Sequence, residues 1–438
     1  MLGVLSVTGG VLAGCSAPAA EDSREINVLL VNNQTQTRLT EITEDTFTAE
    51  TGIKVNFTLL AENDLRDKVT QEVSSQAGQY DVVNVGSYEM PIFADNGWLA
   101  PLDEYVLDDE EYDQDDILDS MESLTLGSDG KIYGEPLEGE SSFLMYNKQI
   151  FADAGVTISD NPTWHDVRDA AAQIKAANPD VTPFCTRGLP GWGQQGSSLT
   201  TVVNTFGGTW FDEDWNARLT DPEFVEATEF YVKLLQDYGP AGAAQVGVFE
   251  CFTTFGEGKV AMWYDTTNAP IYLEAADSAM KGNIGYAAAP VEKTDASGWL
   301  FHWGLSIQAA STNKDSAAEF IKWATSKEFE QLIADTYGWE AAPPGRRSSL
   351  YENPEYLEAG AVFVPAVQYA LENADPTNPG LQPRPTLAIQ YVAIPEFAQL
   401  GDRVTEEIAS AIAGQQTVQQ ALEKAQVLAE EVGKKYQK

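Results

Sequence analysis

The apolar positions near the N-terminus fall into alternating strand-like and helix-like patterns. Ile26–Val31 (INVLLV) is a continuous apolar run, as expected of a strand covered on both faces. Leu39, Ile42, Thr46 and Phe47 then share one helical face, and Gly52 suits the stop. Ile53, Val55, Phe57 and Leu59 alternate as a second strand. Leu65, Val69 and Val73 form the inner stripe of a helix that Asn63 or Asp64 is placed to cap. Tyr80–Val85 (YDVVNV) reads as a third strand. Strands joined by helices predict right-handed parallel crossovers and an α/β sheet.

The same alternation continues downstream. Trp164–Ala177 reads as a helix with Thr163 as N-cap, and Asp221-Pro222 opens another that turns Phe224, Ala227, Tyr231 and Leu234 inward. Lys259–Tyr264 (KVAMWY) reads as a strand. A further strand near Leu305–Ala310 precedes a helix over Ser316–Thr325. From Arg403 onward Val404, Ile408, Ile412, Val418 and Leu422 keep helical periodicity. At 438 residues the chain exceeds one ordinary core, so two α/β lobes are expected.

This pattern places a site. In open α/β sheets ligands bind beyond the carboxyl ends of the strands. Asn32-Asn33, Ala61-Glu62 and Gly86-Ser87-Tyr88-Glu89 stand there, each rich in hydrogen-bonding groups. Ordinary capping and loop chemistry uses the same residues.

Charge narrows the partners. With 26 basic against 67 acidic residues the formal net charge is −41, which disfavours nucleic acid and anionic membrane surfaces. The acidic run Asp108–Asp119 lacks the spacing and the mid-loop Gly of an EF-hand, so it reads as a solvated face. His165 and His302 form no HExxH pair. No GxSxG elbow or GxxxxGK[ST] loop occurs. No metal and no cofactor is called for.

Residues 1–14 are uncharged and largely apolar, and Leu12-Ala13-Gly14-Cys15 follows. The stretch is short for a bilayer span and suits the core of an export signal, although no Lys or Arg precedes it. The tetrapeptide resembles a bacterial lipobox, which makes Cys15 the expected lipidation site. Two acyl chains there would anchor stably, where one would not. Residues 1–24 are therefore assigned to signal and tether, and the domain to the extracellular or periplasmic face of the cell membrane. Cys185 and Cys251 fit either a disulfide, which export permits, or two buried thiols.

Several segments, in order along the chain, resemble the type-II extracellular solute-binding proteins related to maltose-binding protein. They are similar in particular to the members that bind sorbitol or mannitol for ABC importers. They include Val31-Asn32-Asn33, Tyr80–Glu89, Gly97–Leu102 (GWLAPL), Leu144–Lys148 (LMYNK), Arg187–Gly193 (RGLPGWG), Ala261–Thr267 (AMWYDTT), Tyr337–Pro344 (YGWEAAPP) and Tyr391–Phe397 (YVAIPEF). The resemblance implies two lobes, each a mostly parallel sheet flanked by helices, with the ligand cleft between them. It places 25–138 plus 266–336 in the first lobe and 139–265 plus 337–438 in the second. It further implies a monomer that meets the membrane only through its anchor and passes its ligand to ABC permease subunits.

A polyol or sugar offers hydroxyls along its length with C–H faces between. Ionised or amide side chains suit the hydroxyls, and flat aromatic rings suit the C–H faces. Asp265 and Arg187 are the leading charged candidates. Asn33, Glu62 and Glu89 would reach in from the first lobe, with Tyr88 as a further donor. Trp192, Trp303 and Trp339 are the candidate platforms, Trp263 is ambiguous, and Trp98, Trp164 and Trp323 are assigned to packing. A mono- or disaccharide is the alternative cargo. A secreted glycosidase, with two carboxylates across a cleft, is the alternative of another class; the resemblance carries no such catalytic pair.

Overall fold

The computed structural model describes residues 24–437, so the expectation for Cys15 lies outside the described residues. Two sheets organise the chain. The first has the order β2-β1-β3-β10-β4, with β5 also paired to β10. Its strands are β1 (Glu25–Val31), β2 (Lys54–Leu60), β3 (Val82–Gly86), β4 (Leu99–Ala100), β5 (Glu135–Glu140) and β10 (Phe301–Gln308). The second has the order β7-β8-β6-β9, built from β6 (Ser142–Asn147), β7 (Thr182–Cys185), β8 (Val260–Thr266) and β9 (Ile284–Ala288).

The three N-terminal strands pair in parallel, β1 lying between β2 and β3, as their helical crossovers demand. Beyond them the pairing is mixed rather than mostly parallel. Strand β10 runs antiparallel to β3, β4 and β5, and β6 runs antiparallel to β8 and β9. Of these strands β10 returns from the second sheet to the first, so no helical crossover within the first sheet sets its direction.

The lobe boundaries expected from the resemblance shift accordingly. Ser141 alone separates β5 in the first sheet from β6 in the second, close to the expected crossing. The return does not fall at 266, because β9 still pairs with β6; it falls between Ala288 and Phe301. The last crossing also lies beyond 337. Arg346 and Arg347, both fully buried, remain bonded to Glu330 and Asp116 of the first half.

Helices cover both sheets and their starts follow local chemistry. Trp164–Ala177 opens on a capping box between Thr163 and Asp166. Val418–Gly433 opens on another between Thr417 and Gln420. The helix Glu62–Ser75 starts two to three residues earlier than its polar signals predict. Ala61 is its N-cap, and Asn63 and Asp64 fall inside the first turn. That shift puts Glu62 at the helix N-terminus, where a carboxylate faces the positive end of the dipole. The acidic run at 108–119 is more than a solvated face. Asp109 meets Lys322 at 2.6 Å and Asp113 meets Lys327 at 2.6 Å, clamping the run to Lys314–Ala324 and Lys327–Tyr337. Among the described residues no helix is long and apolar enough to cross a membrane.

Candidate functional site

Between the two halves lies a cavity of about 140 Å³. Its first wall follows from strand alternation. Phe301 and Trp303 of β10 stand opposite Glu140 and Glu138 of β5, and residues two apart share a face. All four side chains therefore line the cavity.

Asn33 and Glu62 line it from the ends of the first two strands, as expected. Asn33 caps the helix Gln34–Thr43 through Gln36 N–H, and its Nδ2 donates to Glu138 Oε1 at 2.5 Å. Glu62 Oε1 accepts from Arg66 Nη2 at 3.0 Å, one helical turn on. Its Oε2 accepts from Gln194 Nε2 of the second half at 2.8 Å, and Arg187 Nη1 lies 3.9 Å away.

The second wall comes from the Arg187–Gly193 segment and β8. Arg187 forms a fork on Asp265, with Nη2 to Oδ1 at 2.6 Å and Nε to Oδ2 at 3.0 Å. Burial alone would lower the Arg187 pKa, but Asp265 and Glu62 hold it above its ordinary value. Arg187 lines the cavity, whereas Asp265 is fully buried behind it. Asp265 thus acts through Arg187: as the pair's buried partner, it fixes the guanidinium and does not face the cavity.

Trp192 and Trp303 both line the cavity, and Arg66 is stacked between them, its Cζ at 4.1 and 4.7 Å from the ring centroids. Trp299 lies beside Arg187 at 5.3 Å and Trp263 also reaches the cavity. Each cation sits on a ring and faces carboxylates, so the indoles serve the guanidiniums as well as the cavity.

Three expected residues stand elsewhere. Glu89 is buried behind Arg66, bonding Nη1 at 2.5 Å, and burial raises its pKa despite that cation. Tyr88 donates to Ile394 C=O at 2.8 Å and packs its ring 4.6 Å from Trp192, so it ties the halves together beside the cavity. Trp339 opens the short turn Trp339–Ala341 and donates to Glu355 at 3.0 Å, away from the cavity. Gly-Pro surroundings signalled a loop, not its address.

Sequence reasoning missed Arg66, Glu138, Glu140, Phe301 and Tyr272. Arg66 was legible as the residue one turn after Glu62. The strand carrying Glu138 and Glu140 has no apolar alternation to announce it. Burial raises the Glu138 pKa and pushes that of Glu140 up to about 8, Arg187 and Thr266 opposing the shift. Cys185 and Cys251 are joined by a disulfide with Cα atoms 5.7 Å apart. Among the described residues no cluster of His, Cys, Asp and Glu is arranged to hold a metal.

Two α/β halves joined by three crossings, closing a polar and aromatic cavity between them, define a two-lobed binding protein. The chain belongs to the family of bacterial extracellular solute-binding proteins, whose sequence pattern it matches over residues 32–331. It is 34% identical to the mannitol-binding protein of Pseudomonas aeruginosa over 425 residues, 96% of either chain. It is 28% identical to the erythritol/L-threitol-binding protein of Mycolicibacterium smegmatis over 309 residues, 64% of this chain and 62% of that one. An ABC transporter solute-binding protein of Agrobacterium vitis S4, solved with bound D-mannitol, is 39% identical with a TM-score of 0.91, covering 94% of this chain and 99% of that one. A ribitol complex from Agrobacterium radiobacter K84, 24% identical with a TM-score of 0.81, shares the fold over 94% of this chain and 99% of that one.

Proposed function

We propose that this chain captures a hexitol, mannitol or sorbitol, in the cavity between its halves and delivers it to the permease of an ABC importer. The observation that carries the reading is the composition of the cavity wall. Glu62, Glu138, Glu140, Arg66 and Arg187 supply charged hydrogen-bonding partners while Trp192, Trp299, Phe301 and Trp303 supply flat apolar surface, and both halves contribute. That pairing suits a chain of hydroxyls with C–H faces between them. The likeness to mannitol-binding proteins over nearly the whole chain supports it. Asn33, Glu62, Arg187, Trp192 and Trp303 are the proposed ligand contacts from the expected set, Arg66, Glu138 and Glu140 the additions.

In this reading residues 1–24 are the signal and tether, and a diacylglyceryl group on Cys15 holds the monomer beside its permease. Metabolic labelling with a fatty-acid analogue should mark the protein and lose the mark in Cys15→Ser. Thermal unfolding measured against hexitols, pentitols, monosaccharides and disaccharides tests the cargo. A ligand bound only by the native state adds RT ln(1 + [L]/Kd), so a micromolar hexitol at millimolar concentration should raise the midpoint clearly. A shift with disaccharides alone would transfer the role to them, and ligand consumed during incubation would mean hydrolysis.

A further inference from the structure

The charges around the cavity do not balance. Arg66 is bonded to Glu62 and Glu89, and Arg187 to Asp265, so both cations are already matched by carboxylates. Glu138 and Glu140 are left over: neither forms an ion pair among the described residues. Their partners are neutral. Asn33 and nothing charged holds Glu138, while Thr266 Oγ1 and, at 3.4 Å, Asn268 Nδ2 donate to Glu140. Both carboxylates line the cavity beside each other on β5.

A second feature points the same way. Asn268 also lines the cavity, is 6% exposed, and its Oδ1 has no hydrogen-bond partner. Its Nδ2 faces the Glu140 carboxylate, which fixes the orientation of the amide and leaves Oδ1 as an acceptor. One end of the cavity therefore presents the Asn268 carbonyl and two carboxyl groups with no cation in ion-pair contact. Arg187 acts on Glu140 only from a distance, and burial keeps that carboxyl largely protonated at neutral pH until a cation meets it. A buried acceptor left unmatched is costly, and more so when charged. A hydroxyl brings one donor, whereas an ammonium brings three and a positive charge.

We propose that this end receives a cationic head, so that the protein binds amino-polyols, acyclic polyhydroxylated ligands with a protonated primary amine, more tightly than the neutral polyol. The inference rests on the polyol reading of the cavity and adds a ligand class to it. The same arrangement disfavours polyols that end in a carboxylate, since at this end they would meet two carboxyl groups in place of a cation.

Titration calorimetry at neutral pH with D-sorbitol, its amino counterpart D-glucamine, and D-gluconate tests this. A charge-assisted bond is about twice as strong as a neutral one, so glucamine should bind roughly fivefold or more tighter than sorbitol. Gluconate should bind at least about tenfold more weakly than sorbitol. Glu138→Gln and Glu140→Gln should each remove most of glucamine's advantage, with ligand-free unfolding confirming that each variant folds. If one variant does not fold, the other decides. Sorbitol binding with glucamine equal or weaker, or an advantage that survives both substitutions, overturns the inference and leaves the polyol reading standing. Glucamine binding without sorbitol or mannitol supports the cationic head and overturns the neutral-hexitol reading. Binding of none of them overturns both.

Discussion

Asp265 and Arg187 divide one role between them. The carboxylate is buried and the guanidinium faces the cavity, so neither can be removed without stranding the other. Breaking a buried pair by deleting one partner typically costs about 3–5 kcal/mol. Arg187→Ala should therefore lose about that much in urea unfolding as well as ligand affinity, whereas a direct ligand contact alone would spare the ligand-free protein. Glu135 lies in the first half, remote from the pairings at the cavity, and accepts from Tyr112 at 2.9 Å. Burial pushes its pKa from the ordinary 4.5 up to about 8. The folded state then holds a proton that the unfolded state has released. The stability this contributes is complete below about pH 4.5 and is lost as pH rises through about 8. Glu135→Gln should flatten the decline in unfolding free energy between pH 5 and 8, measured beside wild type; an unchanged slope would assign it to other groups. At this scale the sequence identified residue types well and depth poorly. Position after a strand placed Asn33 and Glu62 on the cavity, but the same logic put Tyr88 and Glu89 there. Periodicity tells which way a residue faces, and only packing tells what stands in front of it.

The elements of the first half were legible because each obeys one period. β1 is covered on both faces and reads as an unbroken apolar run, and the helix Glu62–Ser75 buries Leu65, Val69 and Val73 as its spacing requires. The elements that shape the cavity obey no such rule. β5 (EPLEGE) is buried over most of its length yet is half acidic, because it carries site carboxylates instead of core filler. β9 is five residues long and owes its place to pairing with β6. Its short pattern gave no sign of which sheet it would join, and the expected boundary at 266 failed there. The disulfide belongs to this scale too. It ties the end of β7 to the helix Val248–Gly256 across 66 positions, with both sulfurs fully buried. For a closed loop of that length the chain-entropy estimate is about 4 kcal/mol. Cys185→Ala/Cys251→Ala should lower the unfolding free energy by that order and leave hexitol affinity near wild type, since neither cysteine lines the cavity.

Capture requires the halves to meet, and one of the places where they touch is Gly193. This residue lies beside the helix Glu62–Ser75 of the first half. A Cβ at Gly193 would run into Glu62 Oε1 and sit 3.0 Å from Arg66 Nε and Nη2. Those atoms end flexible side chains, but both are buried and paired, so they have little room to yield. The cost of Gly193→Ala falls only when the halves are together, because its backbone is not in the left-handed region. The variant should thus favour the open arrangement without weakening either half. When the binding-competent form is a fraction of the population, apparent affinity falls by that fraction. Gly193→Ala should weaken hexitol binding by about tenfold or more while the ligand-free unfolding midpoint stays near wild type. Small-angle scattering should show the wild type contracting on ligand addition and the variant contracting only at much higher ligand concentration. Equal affinity and equal contraction would mean that Glu62 and Arg66 move aside freely. The Arg66–Trp192 stack would then be incidental to closure, and the ligand's own bonds to the two halves would have to hold them together.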